Sequence, residues 1–126
     1  EFLLKSPYNL CREFYIECTC NMMRPRTIVD YERIPWILDA GTVRITFDSD
    51  VRAAIGSYDI FDPGLPALSV LEPGKLILEV KFTEMLPQLL RDVLPPPAAE
   101  FTAVSKYVLC YEKTRYMNGF EYWYET

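Results

Sequence analysis

Three stretches of this chain alternate their side chains with a period of two. In "VRITFD" Val43, Ile45 and Phe47 fall on one side and Arg44, Thr46 and Asp48 on the other. In "KLILEVKF" Leu76, Leu78, Val80 and Phe82 oppose Ile77, Glu79 and Lys81, and in "VDYER" Val29, Tyr31 and Arg33 share a side. A period of two belongs to β-strands, whose successive side chains point to opposite faces. The middle of the chain is therefore committed to a sheet with cations and a carboxylate on one face and an apolar face that needs cover.

The flanking segments read as helices. "KSPYNLCREFYIECTCNMM" has Ser6 as a candidate N-cap, Pro7 at the first helical position and Leu10, Phe14, Cys18 and Met22 along one side, and it stops near Arg24-Pro25. "RTIVDYERIPWIL" and "TVRITFDSD" form a hairpin around Asp39-Ala40-Gly41. "GSYDIFDPGLPALSVLEPG" is rich in Gly, Pro, Asp and Ser and reads as a loop before the third strand. A helix over "TEMLPQLLRDVL" is capped by Thr83 and stopped by the prolines at 95–97. "EFTAVSKYVLCYEKTR" gives another helix, with Phe101, Val104, Val108 and Tyr111 on one face, and the aromatic tail "YMNGFEYWYET" is ambiguous, with a short strand packing on its parent domain as one option. The expected class is α+β, a largely antiparallel sheet with flanking helices. Three strands leave open edges, so pairing with another part of the same protein, or a homo-oligomer through those edges, is expected.

Composition narrows the chemistry. A length of 126 residues, half of them hydrophobic, suits a single domain or a large part of one. No basic-then-apolar leader and no apolar run of membrane-crossing length is present, so a soluble, cytoplasmic protein with no membrane segment is expected. The opening on Glu1 suggests a piece of something longer. A net charge of -5 argues against a nucleic-acid partner, which depends on excess Lys and Arg. Between Asn21 and Ile55, however, Arg24, Arg26, Arg33, Arg44 and Arg52 are the only cations, and guanidinium suits phosphate oxygens, although Asp30, Glu32, Asp39, Asp48 and Asp50 in the same stretch balance them and leave the composition signal weak. Histidine is absent, which removes Ser-His and Cys-His nucleophile pairs and most catalytic zinc sites. A zinc site from Cys11, Cys18, Cys20 and Cys110 lacks finger or ribbon spacing, and buried free thiols are the commoner arrangement.

The charged face has two readings on pattern alone. One is a solvated sheet surface with cross-strand ion pairs, for instance Arg44 with Glu79, each contributing at most about 1 kcal/mol. The other is a concave surface on which Arg33, Arg44 and Lys81 grip phosphoryl groups while Glu79 holds a divalent cation, since one protein carboxylate suffices when substrate oxygens complete the coordination.

The succession "PRTIVDYERIPW", "GTVRITFDSDVR", "VLEPGKLILEVKFTEMLP" and "AVSKYVLC" resembles the C-terminal half of the VTC domain, the polyphosphate polymerase domain of the triphosphate tunnel metalloenzyme superfamily, including its bacterial members. The resemblance runs in order from about Ser6 to Cys110. It implies half of a β-tunnel, completed by the missing N-terminal half of the same domain. It further implies phosphate-binding roles for Arg33, Arg44, Lys81 and Lys106, and Glu79 as ligand to Mn2+ or Mg2+. Ala103 departs from the eukaryotic members, which carry a basic residue three places before the helical lysine. The implied activity is transfer of the terminal phosphoryl group of ATP to a growing polyphosphate chain, with the fragment alone inactive. A triphosphate hydrolase, or a non-catalytic polyphosphate-binding or assembly module, would use the same residues.

Several other side chains are read without a ligand. Asp48 and Asp50 suit a solvated strand end better than a second metal pair. Arg52 either joins the site or covers apolar surface with its stem. Arg24 and Arg26 flank a helix end, where cations offset the dipole. Trp36 and the aromatic tail read as core or interface.

Overall fold

A computed structural model describes residues 1–39, 42–97 and 99–117. Its frame is an antiparallel sheet of four strands, β1 (Val29–Leu38), β2 (Val43–Ala54), β3 (Ala67–Ser69) and β4 (Ile77–Lys81). β2 is the long central strand. β1 runs along one side of it, while β3 pairs with Arg52–Ala54 and β4 with Arg44–Asp48 on the other. The α+β class is as expected, with one strand more than the sequence announces. β3 lies inside the stretch read as a loop, and at three residues it is too short to display a period. The sheet is open: among the described residues β1, β3 and β4 each pair only with β2. Pro35 within β1 fits an edge strand, where a missing N–H costs least.

One irregularity decides what each face carries. Between the pairs Asp30↔Arg52 and Glu32↔Ser49 β1 advances two residues while β2 retreats three, so β2 holds an extra residue there. Asp50 takes φ +48°, a left-handed conformation that Asp tolerates better than most side chains. An insertion of one residue exchanges the faces of a strand. Arg44, Thr46 and Asp48 on one side of the bulge therefore share a face with Val51 and Ala53 on the other. The buried cluster Val51, Ala53 and Cys110, with Val29, Tyr31, Val70, Leu71 and Ile77 packed against it, thus lies on the charged face, at its far end.

Helix α3 (Lys106–Thr114) covers that cluster, packing on β2 and β1. Ser105 caps it, its hydroxyl accepting from the Val108 N–H at 3.3 Å. The face that α3 turns inward carries Lys106, Cys110 and Thr114 at intervals of four, with Cys110 and Thr114 fully buried. This corrects the expected stripe of Phe101, Val104, Val108 and Tyr111: Phe101 and Val104 precede the helix, and Val108 is exposed. Small side chains win this interface because they let the helix approach a strand that itself presents Val and Ala.

The opposite face is apolar in register. Ile34, Phe47 and Leu78 form one row, Trp36, Ile45 and Val80 the next. The apolar face of Leu78, Val80 and Phe82 needs cover, but the helix that packs on the sheet sits on the charged side, and Ile34 and Trp36 remain 58% and 64% exposed. Helix α1 (Asn9–Cys20) begins three residues after the expected N-cap, because Ser6 closes a 3₁₀ turn (Leu3–Lys5) and its hydroxyl accepts from the Tyr8 N–H at 3.3 Å. Leu10 and Phe14 on its apolar side are exposed. Helix α2 (Gln88–Val93) has Pro87 at its N-cap position instead of Thr83, whose hydroxyl pairs with that of Thr42. Of the aromatic tail, residues 118–126 lie outside the described residues.

Candidate functional site

Antiparallel pairing puts directly opposed residues on the same face, so the register alone assembles the site. Arg33 faces Asp48, Thr46 faces Glu79, and Arg44 faces Lys81. Arg33, Arg44, Glu79 and Lys81 therefore project from one side of three adjoining strands. Lys106 joins them from the first position of α3, directed at the same surface by the Ser105 cap. All five residues singled out in the sequence are thus brought to a single face.

The side chain that organises them is Asp48. Its carboxylate has no exposure and takes a two-pronged contact from Arg33, Nε to Oδ1 at 2.6 Å and Nη2 to Oδ2 at 2.7 Å. Lys106 Nζ reaches the same Oδ2 at 2.6 Å, tying α3 to β2. The Arg33 hydrogen bonds, with help from Lys106, hold the Asp48 carboxyl down at about 2 against the opposing effect of burial, and the Arg33 guanidinium is correspondingly raised. Beneath both cations lies the ring of Tyr31, with Arg33 Cζ and Lys106 Nζ each 5.1 Å from its centroid. The expected solvated strand end is overturned for Asp48. It does fit Asp50, half-exposed and 3.5 Å from Arg52 Nε.

Glu79 contrasts with Asp48. It is 36% exposed, and Oε1 accepts from Lys81 Nζ at 2.7 Å along the same strand. Its carboxyl is lowered first by that hydrogen bond and further by the charges of Lys106 and Arg33. Three of the four predicted cations therefore act on one accessible carboxylate. The cross-strand pair Arg44 with Glu79 offered as an example is replaced by this Lys81 contact, because Arg44 stands opposite Lys81 and not opposite Glu79. Arg44 and Lys81 together line a shallow cleft of about 560 Å³ with Thr42, Val80, Phe82 and Thr83.

Asp48 and Tyr31 are the residues the sequence reading did not assign to the site. A signal for Asp48 existed: counting outward from the hairpin, where Leu38 faces Val43, places Arg33 opposite it. Arg52 leaves the site, since it pairs with Asp30 at 2.6 Å on the opposite face. Arg24 Nη1 donates to Cys18 O at 2.7 Å, as suits a cation at a helix end. The cysteines are free thiols, and among the described residues no three His, Cys, Asp or Glu side chains gather as a ligand group.

A divalent cation at this face would rest on Glu79 with oxygens from a bound phosphate. The residues fit such an ion. Glu79 is ionised and accessible, whereas both Asp48 oxygens are held by cations, and the Thr46 hydroxyl beside Glu79 is buried with no hydrogen-bond partner.

A family model described as the VTC domain matches residues 5–115, taking in every element from α1 to α3. No curated protein and no solved structure matches the chain.

Proposed function

The chain belongs to the VTC domain family, and from that premise we propose that its charged face is one wall of a tunnel in which the terminal phosphoryl group of ATP is transferred to a polyphosphate chain. The observation that carries this reading is the gathering of Arg33, Arg44, Lys81 and Lys106 on one face around two carboxylates, Asp48 held by Arg33 and Lys106 and Glu79 held only by Lys81. Phosphoryl transfer needs in-line positioning and neutralisation of charge more than it needs a protein nucleophile, so a chain without histidine is no handicap.

In this reading Arg44 and Lys81 hold phosphate oxygens at the cleft, while Arg33 and Lys106, kept in place by Asp48, hold them at the α3 end. Glu79 would hold Mn2+ or Mg2+, which when bound would neutralise charge on the phosphoryl oxygens. The bond from the transferred phosphorus to the nucleotide oxygen breaks as one to the terminal polyphosphate oxygen forms, and ADP leaves. The open edges of β3 and β4, and of β1 away from Pro35, receive further strands that complete the enclosure. In this reading they come from further strands of the same domain or from a second copy of the chain. Among the described residues no helix is long and apolar enough to cross a membrane. A face that consumes ATP belongs on the cytoplasmic side.

The test is to incubate the full-length protein with ATP and manganese and to separate long-chain polyphosphate from free phosphate. Polyphosphate growing with time is the expected result. Free phosphate alone would make the protein a hydrolase, and binding without turnover would make it a polyanion-binding module. Residues 1–126 alone are expected to bind phosphate weakly and to sustain no turnover.

A further inference from the structure

Thr46 is 3% exposed, and its Oγ1 is buried without a hydrogen-bond partner. A buried hydroxyl left unsatisfied costs about 1–3 kcal/mol, whereas valine would fill the same space in a strand at no such cost. Thr46 lies on the charged face, directly opposite Glu79 and between Arg44 and Asp48 along β2. Its neighbours on that face do have partners: Asp48 is held by Arg33 and Lys106, and Glu79 by Lys81. The unpartnered oxygen therefore sits beside the one accessible carboxylate.

We propose that the Thr46 hydroxyl is a second protein oxygen ligand for the divalent cation held by Glu79. A neutral hydroxyl is a hard oxygen donor of the kind Mg2+ and Mn2+ accept, and opposed residues of an antiparallel pair stand about 5 Å apart at Cβ, within reach of one ion. Nothing in the family match assigns this residue. The inference rests on the metal role of Glu79 proposed above, and it adds a consequence. Lys81 Nζ lies 2.7 Å from Glu79 Oε1, so a cation bound at Glu79 would compete with that ammonium for the carboxylate.

Mn2+ binding to the full-length protein in the presence of inorganic tripolyphosphate, measured by the loss of the free-ion paramagnetic resonance signal beyond the loss that tripolyphosphate alone causes, tests it. Thr46→Val is expected to weaken Mn2+ binding by about 10-fold while leaving the melting temperature unchanged or higher, and Thr46→Ser is expected to bind as the wild type does. Thr46→Ala serves as a second variant without the hydroxyl. Wild-type Mn2+ affinity in both Thr46→Val and Thr46→Ala overturns the proposal. Glu79→Gln separates the two layers. If it loses Mn2+ while the hydroxyl-free variants keep it, only the Thr46 assignment falls. If it binds Mn2+ as the wild type does, the metal role of Glu79 falls and Thr46 with it.

Discussion

Replacing Asp48 by asparagine is expected to lower stability by about 3 kcal/mol, measured by urea unfolding at neutral pH. The substitution keeps the shape of the side chain and removes its charge, so Arg33 and Lys106 are left facing an amide at a fully buried position. Lys106 Nζ then no longer anchors α3 to β2, and the cover over Val51, Ala53 and Cys110 loosens. The acid limb gives an internal control. Because the Asp48 carboxyl is lowered from 3.8 to about 2 in the folded chain, its contribution is present in full above the unfolded value and is lost as pH falls toward 2. The stability gap between wild type and Asp48→Asn should therefore narrow between about pH 4 and pH 2. A variant as stable as the wild type at neutral pH, or a gap independent of acid, would show that Asp48 does not hold this end of the sheet together.

Glu79→Gln is expected to behave in the opposite way, with little loss of stability and a drop of at least about 100-fold in polyphosphate formation from ATP and manganese. Glu79 is accessible and paired to a half-exposed lysine of its own strand, an interaction that contributes at most about 1 kcal/mol. Its charge is another matter: glutamine cannot offer a carboxylate to a hard cation, and the other carboxylate on the face is already held by Arg33 and Lys106. Polymer synthesis by Glu79→Gln at the wild-type rate would remove the residue from the site. The two variants thus separate the two acids of one face, the first holding the wall together and the second serving what binds to it.

Much of this was legible because strand alternation is a local property. The placement of Arg44 with Thr46 and Asp48, and of Glu79 with Lys81, follows from a period of two, and the hairpin that joins β1 to β2 fixes the register that brings Arg33 to the same side. What the sequence hid was non-local. The bulge at Asp50 moves Val51 and Ala53 onto the charged face, and an aspartate within "DSDVR" does not advertise a left-handed backbone. Once the faces exchange, the helix follows the small core and not the larger apolar row, which is why α3 buries Cys110 and Thr114 in place of its more hydrophobic stripe. Asp48 was misjudged for the same reason. A carboxylate near a strand end is usually wet, but β2 runs on to Ala54, and Arg33 together with Lys106 from 58 residues further along the chain holds the Asp48 carboxylate. The strand β3 escaped because its three residues derive their pairing from β2 and carry little signal of their own.

The central claim is that one face of this sheet is built to hold a chain of phosphates. Titrating isotopically labelled residues 1–126 with inorganic tripolyphosphate, and following backbone and arginine side-chain resonances, tests it without asking for turnover. The account predicts weak, salt-sensitive binding whose shifts gather on Arg33, Arg44, Glu79, Lys81 and the start of α3. Shifts confined to the face of Ile34, Trp36 and Phe47, or a spectrum untouched by tripolyphosphate at low salt, would contradict it.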